Sequence, residues 1–102
     1  MYLCKMRIVS IKRINDFIGK HDASAVALQD WYHRVSAKEW HNLSDIKSDF
    51  NSVDYVGANR YVFNVKGNHY RIVCIIIFAS QKLYIRFIGT HTQYDRIDVK
   101  SI

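Results

Sequence analysis

The chain contains no proline and only two cysteines. It has no apolar run of about 18 residues, and after Asp54 its only acids are Asp95 and Asp98. Each scarcity excludes something. Cys4 and Cys74 are too few and too far apart for a zinc pattern, and a structural disulfide is not expected, which fits a reducing cytoplasm. Without a long apolar run there is no membrane span, and Lys5 and Arg7 lead into no uncharged stretch of the kind a signal peptide needs. Two acids after Asp54 leave no carboxylate pair for general acid–base work in the second half. His21, His33, His41, His69 and His91 do not form a metal-ligand spacing, so no metal site is expected. No glycine-rich phosphate loop occurs, so no nucleotide cofactor is expected. No linker, repeat or low-complexity stretch stands out.

What is present is 102 residues, 49% of them hydrophobic, with a net charge of +6 and a pI near 9.5. That is enough chain for one domain, 1–102, with one core. A small basic domain points to an anionic partner, nucleic acid first, against the alternative of a solvated basic surface.

Asn59 to Asp95 organises the rest. Tyr61–Val65, Tyr70–Phe78 and Leu83–Ile88 are apolar, β-branched and aromatic runs, separated by pieces short enough for hairpin loops. They predict a three-stranded antiparallel meander. Two-residue turns at Gly67-Asn68 and Ser80-Gln81 would place Asn64 opposite Arg71, and Arg71 opposite Thr90. One face then carries Tyr61, Phe63, Val65, Tyr70, Ile72, Cys74, Ile76, Phe78, Leu83, Ile85 and Phe87. The other carries Asn64, Lys66, His69, Arg71, Tyr84, Arg86 and Thr90 among Val62, Val73, Ile75, Ile77 and Ile88.

The apolar face needs a cover. Ile11, Ile14 and Ile18 predict a helix capped by Ser10. Ala25, Leu28, Trp31, Tyr32 and Val35 predict a second, capped by Asp22 or Ser24. Met6–Val9 reads as a short edge strand, Trp40–Phe50 as a short helical piece capped by Ser44, Asp54–Ala58 as a loop, and Tyr94–Ile102 as a tail. The expectation is an α+β fold, β-α-α-β-β-β, with two N-terminal helices on one face of a small antiparallel sheet.

Chemistry concentrates on the basic face: Lys66, His69, Arg71, Arg86 and His91, with Tyr84 and Tyr94. Arginine can stabilise charge on a pentavalent phosphate, and His or Tyr can move protons to and from ribose oxygens. RNA supplies its own 2′-OH nucleophile. The residues by themselves leave catalysis and passive RNA binding both open.

The segments NRYVFNVKGNHYRIV and YIRFIGTHTQYDRID, with MRIVSIKRINDFIGKH and LQDWYHRVSAKEW upstream, resemble the HigB-type toxins of bacterial toxin–antitoxin pairs. The resemblance runs from about Met6, itself a candidate start, to the C-terminus. It implies a RelE-like fold and an mRNA interferase, an endoribonuclease that cuts mRNA, usually on the ribosome, without a metal. It also implies a helix-turn-helix antitoxin of the HigA type. By this resemblance Arg71 and Arg86 would bind the phosphate or transition state. His91 would lead proton transfer with Tyr94 second, and Asp95 would orient a neighbour. Asn64 and Lys66 would hold the RNA backbone, with His69 and Tyr84 on the same face. An inactive RNA- or ribosome-binding module and a pure protein-interaction subunit remain the alternatives.

Overall fold

A computed structural model describes residues 5–67 and 69–102. The apolar, β-branched runs form the sheet: β2 (Asp54–Gly57), β3 (Arg60–Val65), β4 (Tyr70–Ile77) and β5 (Lys82–Thr90), joined by β1 (Arg7–Val9). Strand order is β1-β5-β4-β3-β2. β1 runs parallel to β5 and the other pairs are antiparallel, so the sheet is mixed. The α+β expectation holds, with one strand more than the expected β-α-α-β-β-β order and with one parallel pair where an antiparallel sheet was expected.

α1 (Ile11–Lys20) and α2 (Ala25–Ser36) lie on the apolar face, as their stripes required. Ile14, Phe17, Leu28, Trp31 and Val35 form one core with Phe63, Val65, Ile72, Cys74, Ile76, Leu83 and Ile85. Phe63 is its centre. Trp31 meets it edge-on at 5.4 Å, Phe50 edge-on at 5.4 Å, and Trp40 stacks at 6.2 Å. Burying one such ring stabilises the fold by about 2–3 kcal/mol. Burial also pushes the Cys74 thiol well up, as suits an inert core residue.

The Trp40–Phe50 stretch contains α3 (Leu43–Asp49). Trp40 Nε1 donates to Asp49 Oδ2 at 2.8 Å. That bond holds the Asp49 carboxyl below its usual range, against the opposing effect of burial and with Lys38 assisting. The buried Gln81, in the left-handed region, accepts from the Trp40 backbone N–H at 3.2 Å and donates back to its carbonyl.

Several local expectations give way. Ser10 has φ 80° and makes no capping bond, Ser24 turns its hydroxyl to the His21 carbonyl, and Asn42 rather than Ser44 caps α3. Residues 54–57 are a strand, because a turn at Ala58 and Asn59, both at positive φ, folds them back onto β3. In the first hairpin Asn64 does face Arg71; Asn68 lies outside the described residues.

The second hairpin corrects the predicted register. Its loop is a 3-10 turn, Phe78–Ser80, closed by Gln81, and Ile77 pairs with Lys82. A bulge comes next: Cys74 faces Ile85 but Val73 faces Phe87, leaving Arg86 as the extra residue. Beyond it every side chain changes face. Arg71 faces Gly89, not Thr90, and Ile88 rather than Phe87 packs on the core.

Candidate active site at the Arg71 end of the sheet

Arg71 sits on β4, on the face away from α1 and α2, beside Asn64 on β3 and Gly89 on β5. Directly after β5 the chain turns into α4 (His91–Tyr94), a single helical turn. Thr90 caps it by accepting from the Gln93 N–H at 3.2 Å, while Gln93 Oε1 accepts from the Thr90 N–H at 2.9 Å. This reciprocal box fixes the start of a helix too short to hold itself. The His91 N–H also donates to the His69 carbonyl at 3.1 Å, tying α4 to the β3–β4 loop.

These supports bring three ionisable side chains to Arg71. Its Nη2 lies 3.0 Å from His91 Nδ1. A guanidinium carries only donors, so His91 Nδ1 accepts and its Nε2 carries the proton. That Nε2 lies 3.5 Å from Asp95 Oδ2. The guanidinium also lies 5.7 Å from the centre of the Tyr94 ring. Burial pushes the Tyr94 phenol up; Arg71 opposes this, and Asp54 and Asp95 add to it. The side chains of His91 and Asp95 are 54% and 58% exposed, so a substrate can reach them.

Gly89 permits the arrangement. A Cβ there would come 2.8 Å from Phe87 Cε2, closer still to its Cζ, and 2.9 Å from Gln93 Oε1. The Phe87 ring therefore lies across the glycine, 6.5 Å from the Tyr94 ring. Val62 and Val73, in the same cross-strand row as Phe87, are 3% and 0% exposed yet lie outside the main core. The segment after β5 returns over this face, since the Ile102 main-chain oxygen is held by Arg60 and Lys100 passes Gly57. Ile97, Val99 and Ile102 are half-buried along it, whereas Arg96, Asp98, Lys100 and Ser101 are exposed. The middle of the basic face is thus roofed by the tail rather than open.

The roof separates the predicted residues. Arg71, His91 and Tyr94 come together with Asp95, and His69 supports them through its carbonyl. Asn64 faces Arg71, but its amide donates to the Ser52 carbonyl at 3.1 Å. Lys66 turns the other way and donates to the Ala23 carbonyl at 3.2 Å, on the helical side. Arg86 is exposed at the bulge, with its carbonyl accepting from Arg13 at 3.3 Å. Tyr84 pairs with Ile75 and Val9 much further along β5. None of these last three touches the cluster through a described contact. Asp54, Phe87, Gly89 and the Thr90–Gln93 box were not foreseen as parts of the site. Only the box had a local signal, the spacing of Thr90 and Gln93. Among the described residues no three His, Cys, Asp or Glu side chains are placed to hold a metal ion, and no helix is long and apolar enough to cross a membrane.

Residues 24–97 match the family model of the HigB toxin, the RelE-like toxic component of a toxin–antitoxin system. The chain is 33% identical over 93 residues, covering 88% of each chain, to the mRNA interferase toxin HigB of Escherichia coli (strain K12). The same figures, 33% over 93 residues, relate it to the mRNA interferase HigB of Shigella flexneri. To the mRNA interferase HigB of Escherichia coli O6:H1 (strain CFT073) it is 24% identical over 94 residues, 90% of this chain and 91% of the other.

Proposed function

The chain belongs to the HigB family of RelE-like toxins, and from that premise we propose that it is an mRNA-cutting endoribonuclease whose site is the cluster of Arg71, His91, Tyr94 and Asp95. The observation that carries the site is the 3.0 Å contact between Arg71 and His91 Nδ1. A phosphate binder and a proton acceptor are held side by side where RNA can reach both.

The cluster suggests an order of events. A scissile phosphate draws the Arg71 guanidinium toward its oxygens, which releases the His91 Nδ1 lone pair. That nitrogen takes the proton from the ribose 2′-OH as its oxygen attacks the adjacent phosphorus. The P–O5′ bond breaks, and the departing O5′ receives a proton from an acid on the opposite side, for which the Tyr94 hydroxyl is the candidate. Asp95 steadies the imidazolium through Nε2. The products are a 2′,3′-cyclic phosphate, open to later hydrolysis to a 3′-phosphate, and a 5′-hydroxyl. Arg71 stabilises the extra charge of the pentavalent state, the kind of contribution worth about 3 kcal/mol. Arg86, Lys66, Asn64, His69 and Tyr84 then serve as outlying RNA contacts, with Arg86 outside the reacting group.

The toxin reading brings an antitoxin as partner. The helix-turn-helix HigA type, ribosome-bound mRNA as substrate, a cytoplasmic site of action and a single toxin domain over 1–102 belong to the same proposal. A phosphate-binding guanidinium, an imidazole that accepts a proton and the RNA's own 2′-OH suit a metal-independent reaction. Cleavage is therefore expected to continue in EDTA, with ribosomes, where required, kept intact by polyamines. End-group analysis is expected to find cyclic or 3′-phosphate termini. Products ending in 3′-hydroxyl would overturn the mechanism, since they require attack by an external water.

A further inference from the structure

We propose that Arg60, at the opposite end of the sheet from Arg71, is a positioning residue for the catalytic cluster and acts by tying down the segment 95–102. The proposal rests on the functional reading above. Arg60 begins β3 and Asn64, beside Arg71, lies four residues on, about 13 Å away at the usual rise of a strand. Its guanidinium is spent locally. Nε donates to the Ile102 main-chain oxygen at 2.9 Å, Nη2 donates to the same oxygen, and Nη1 donates to the Ala58 carbonyl at 3.0 Å. A planar fork with two N–H groups on one oxygen fixes where that oxygen sits.

The anchored segment crosses the sheet. It starts at Asp95, against His91, and ends at Arg60. On the way the Lys100 chain passes Gly57, its Cε 3.7 Å from where a Cβ would stand. Ile97, Val99 and Ile102 are half-buried along it, and Val62 and Val73, on the face it crosses, are buried. The segment makes only turns, with bonds such as Ile97 N–H to the Tyr94 carbonyl and Ser101 N–H to the Asp98 carbonyl. α4 has four residues and a cap at its front, and at its rear the N–H groups of Asp95, Arg96 and Ile97 donate to the His91, Gln93 and Tyr94 carbonyls, so the start of the segment 95–102 continues its turn. Tyr94 and Asp95 stand at that rear. Freeing the far end of the segment would let water reach Tyr94 and let Asp95 leave His91, with the main core untouched.

The test compares Arg60→Ala and Arg60→Lys with the parent chain. Arg60→Ala is expected to lower kcat on the order of tenfold to a hundredfold, the scale of a misplaced reacting group, with KM within about twofold. Arg60→Lys, which keeps one donor, is expected to recover part of the loss. The independent readout is the Tyr94 phenol. Its titration, followed at 295 nm as the difference between each chain and its Tyr94→Phe counterpart, is expected to fall toward the ordinary tyrosine value in Arg60→Ala. The charged groups that act on that phenol are Arg71 from β4, Asp54 from β2 and Asp95 just after α4. A folded Arg60→Ala with parental kcat overturns the proposal, and so does a loss of kcat with an unmoved Tyr94 titration. If Arg60→Ala fails to fold, Arg60→Lys decides by the same two measurements. A parent chain that cuts no RNA counts against the functional reading, and the Tyr94 titration still decides whether Arg60 holds the segment.

Discussion

Arg71 is surrounded by neighbours from different parts of the chain. β4 supplies its stem, Asn64 and Gly89 flank it, and His91, Tyr94 and Asp95 arrive from α4. Arg71→Ala is expected to remove about a hundredfold or more of the cleavage rate. It leaves the core residues in place, so melting is expected to change little. Arg71→Lys is expected to restore only part, because one ammonium cannot make the two parallel contacts of a guanidinium. Cleavage rate and thermal melting measured on the same purified variants check this. A folded Arg71→Ala with the parental rate would make Arg71 a surface charge. Arg86→Ala is expected to weaken RNA binding more than the chemical step, since the bulge places it outside the cluster.

At the scale of the element, the decisive unit is the end of β5 with α4. The bulge at Arg86 turns Phe87 away from the core, the Phe87 ring lies over Gly89, and Gln93 closes the capping box above it. Three features of one strand end therefore set where His91 points. Gly89→Ala forces a methyl into the Phe87 ring and the Gln93 amide oxygen. It is expected to destabilise the fold by about 1–3 kcal/mol, as overpacking does, and to lower cleavage by more than its lost stability explains. Chemical denaturation and single-turnover cleavage on the same sample separate the two effects. A variant with unchanged stability and rate would show that Phe87 and Gln93 move aside at no cost.

At the scale of the molecule, the sheet divides the labour. One face packs on α1 and α2 and supplies the stability. The other carries a smaller apolar patch roofed by the tail, with the Arg71 cluster at its rim. The charge of +6 adds a field that draws in RNA. Inducing this chain alone in bacteria is expected to stop growth while transcripts are cut, and co-expression of its antitoxin is expected to restore growth. Growth curves and transcript integrity at matched soluble expression test this. Normal growth with intact transcripts would defeat the toxin assignment for the cell.

The sequence by itself determined what depends on local pattern. Alternation in Tyr61–Val65 and Tyr70–Ile77 set the apolar face, and the spacing of Leu28, Trp31 and Val35 set a helix to cover it. The short first loop set Asn64 opposite Arg71. The basic, acid-poor second half pointed to RNA, and its motifs resembled the toxin family to which the chain belongs. The tertiary structure alone decided the rest, because pairing between distant segments has no period to read. Residues 54–57 become a strand only by finding β3, and β1 becomes a parallel neighbour only by finding β5. The bulge at Arg86 is one extra residue in an apolar run, invisible until the partner strand is laid beside it. That single residue exchanges the faces of Phe87 and Ile88 and brings Gly89 beside Arg71. The tail, polar in composition, crosses the sheet only because Arg60, far from it in sequence, holds the Ile102 main-chain oxygen.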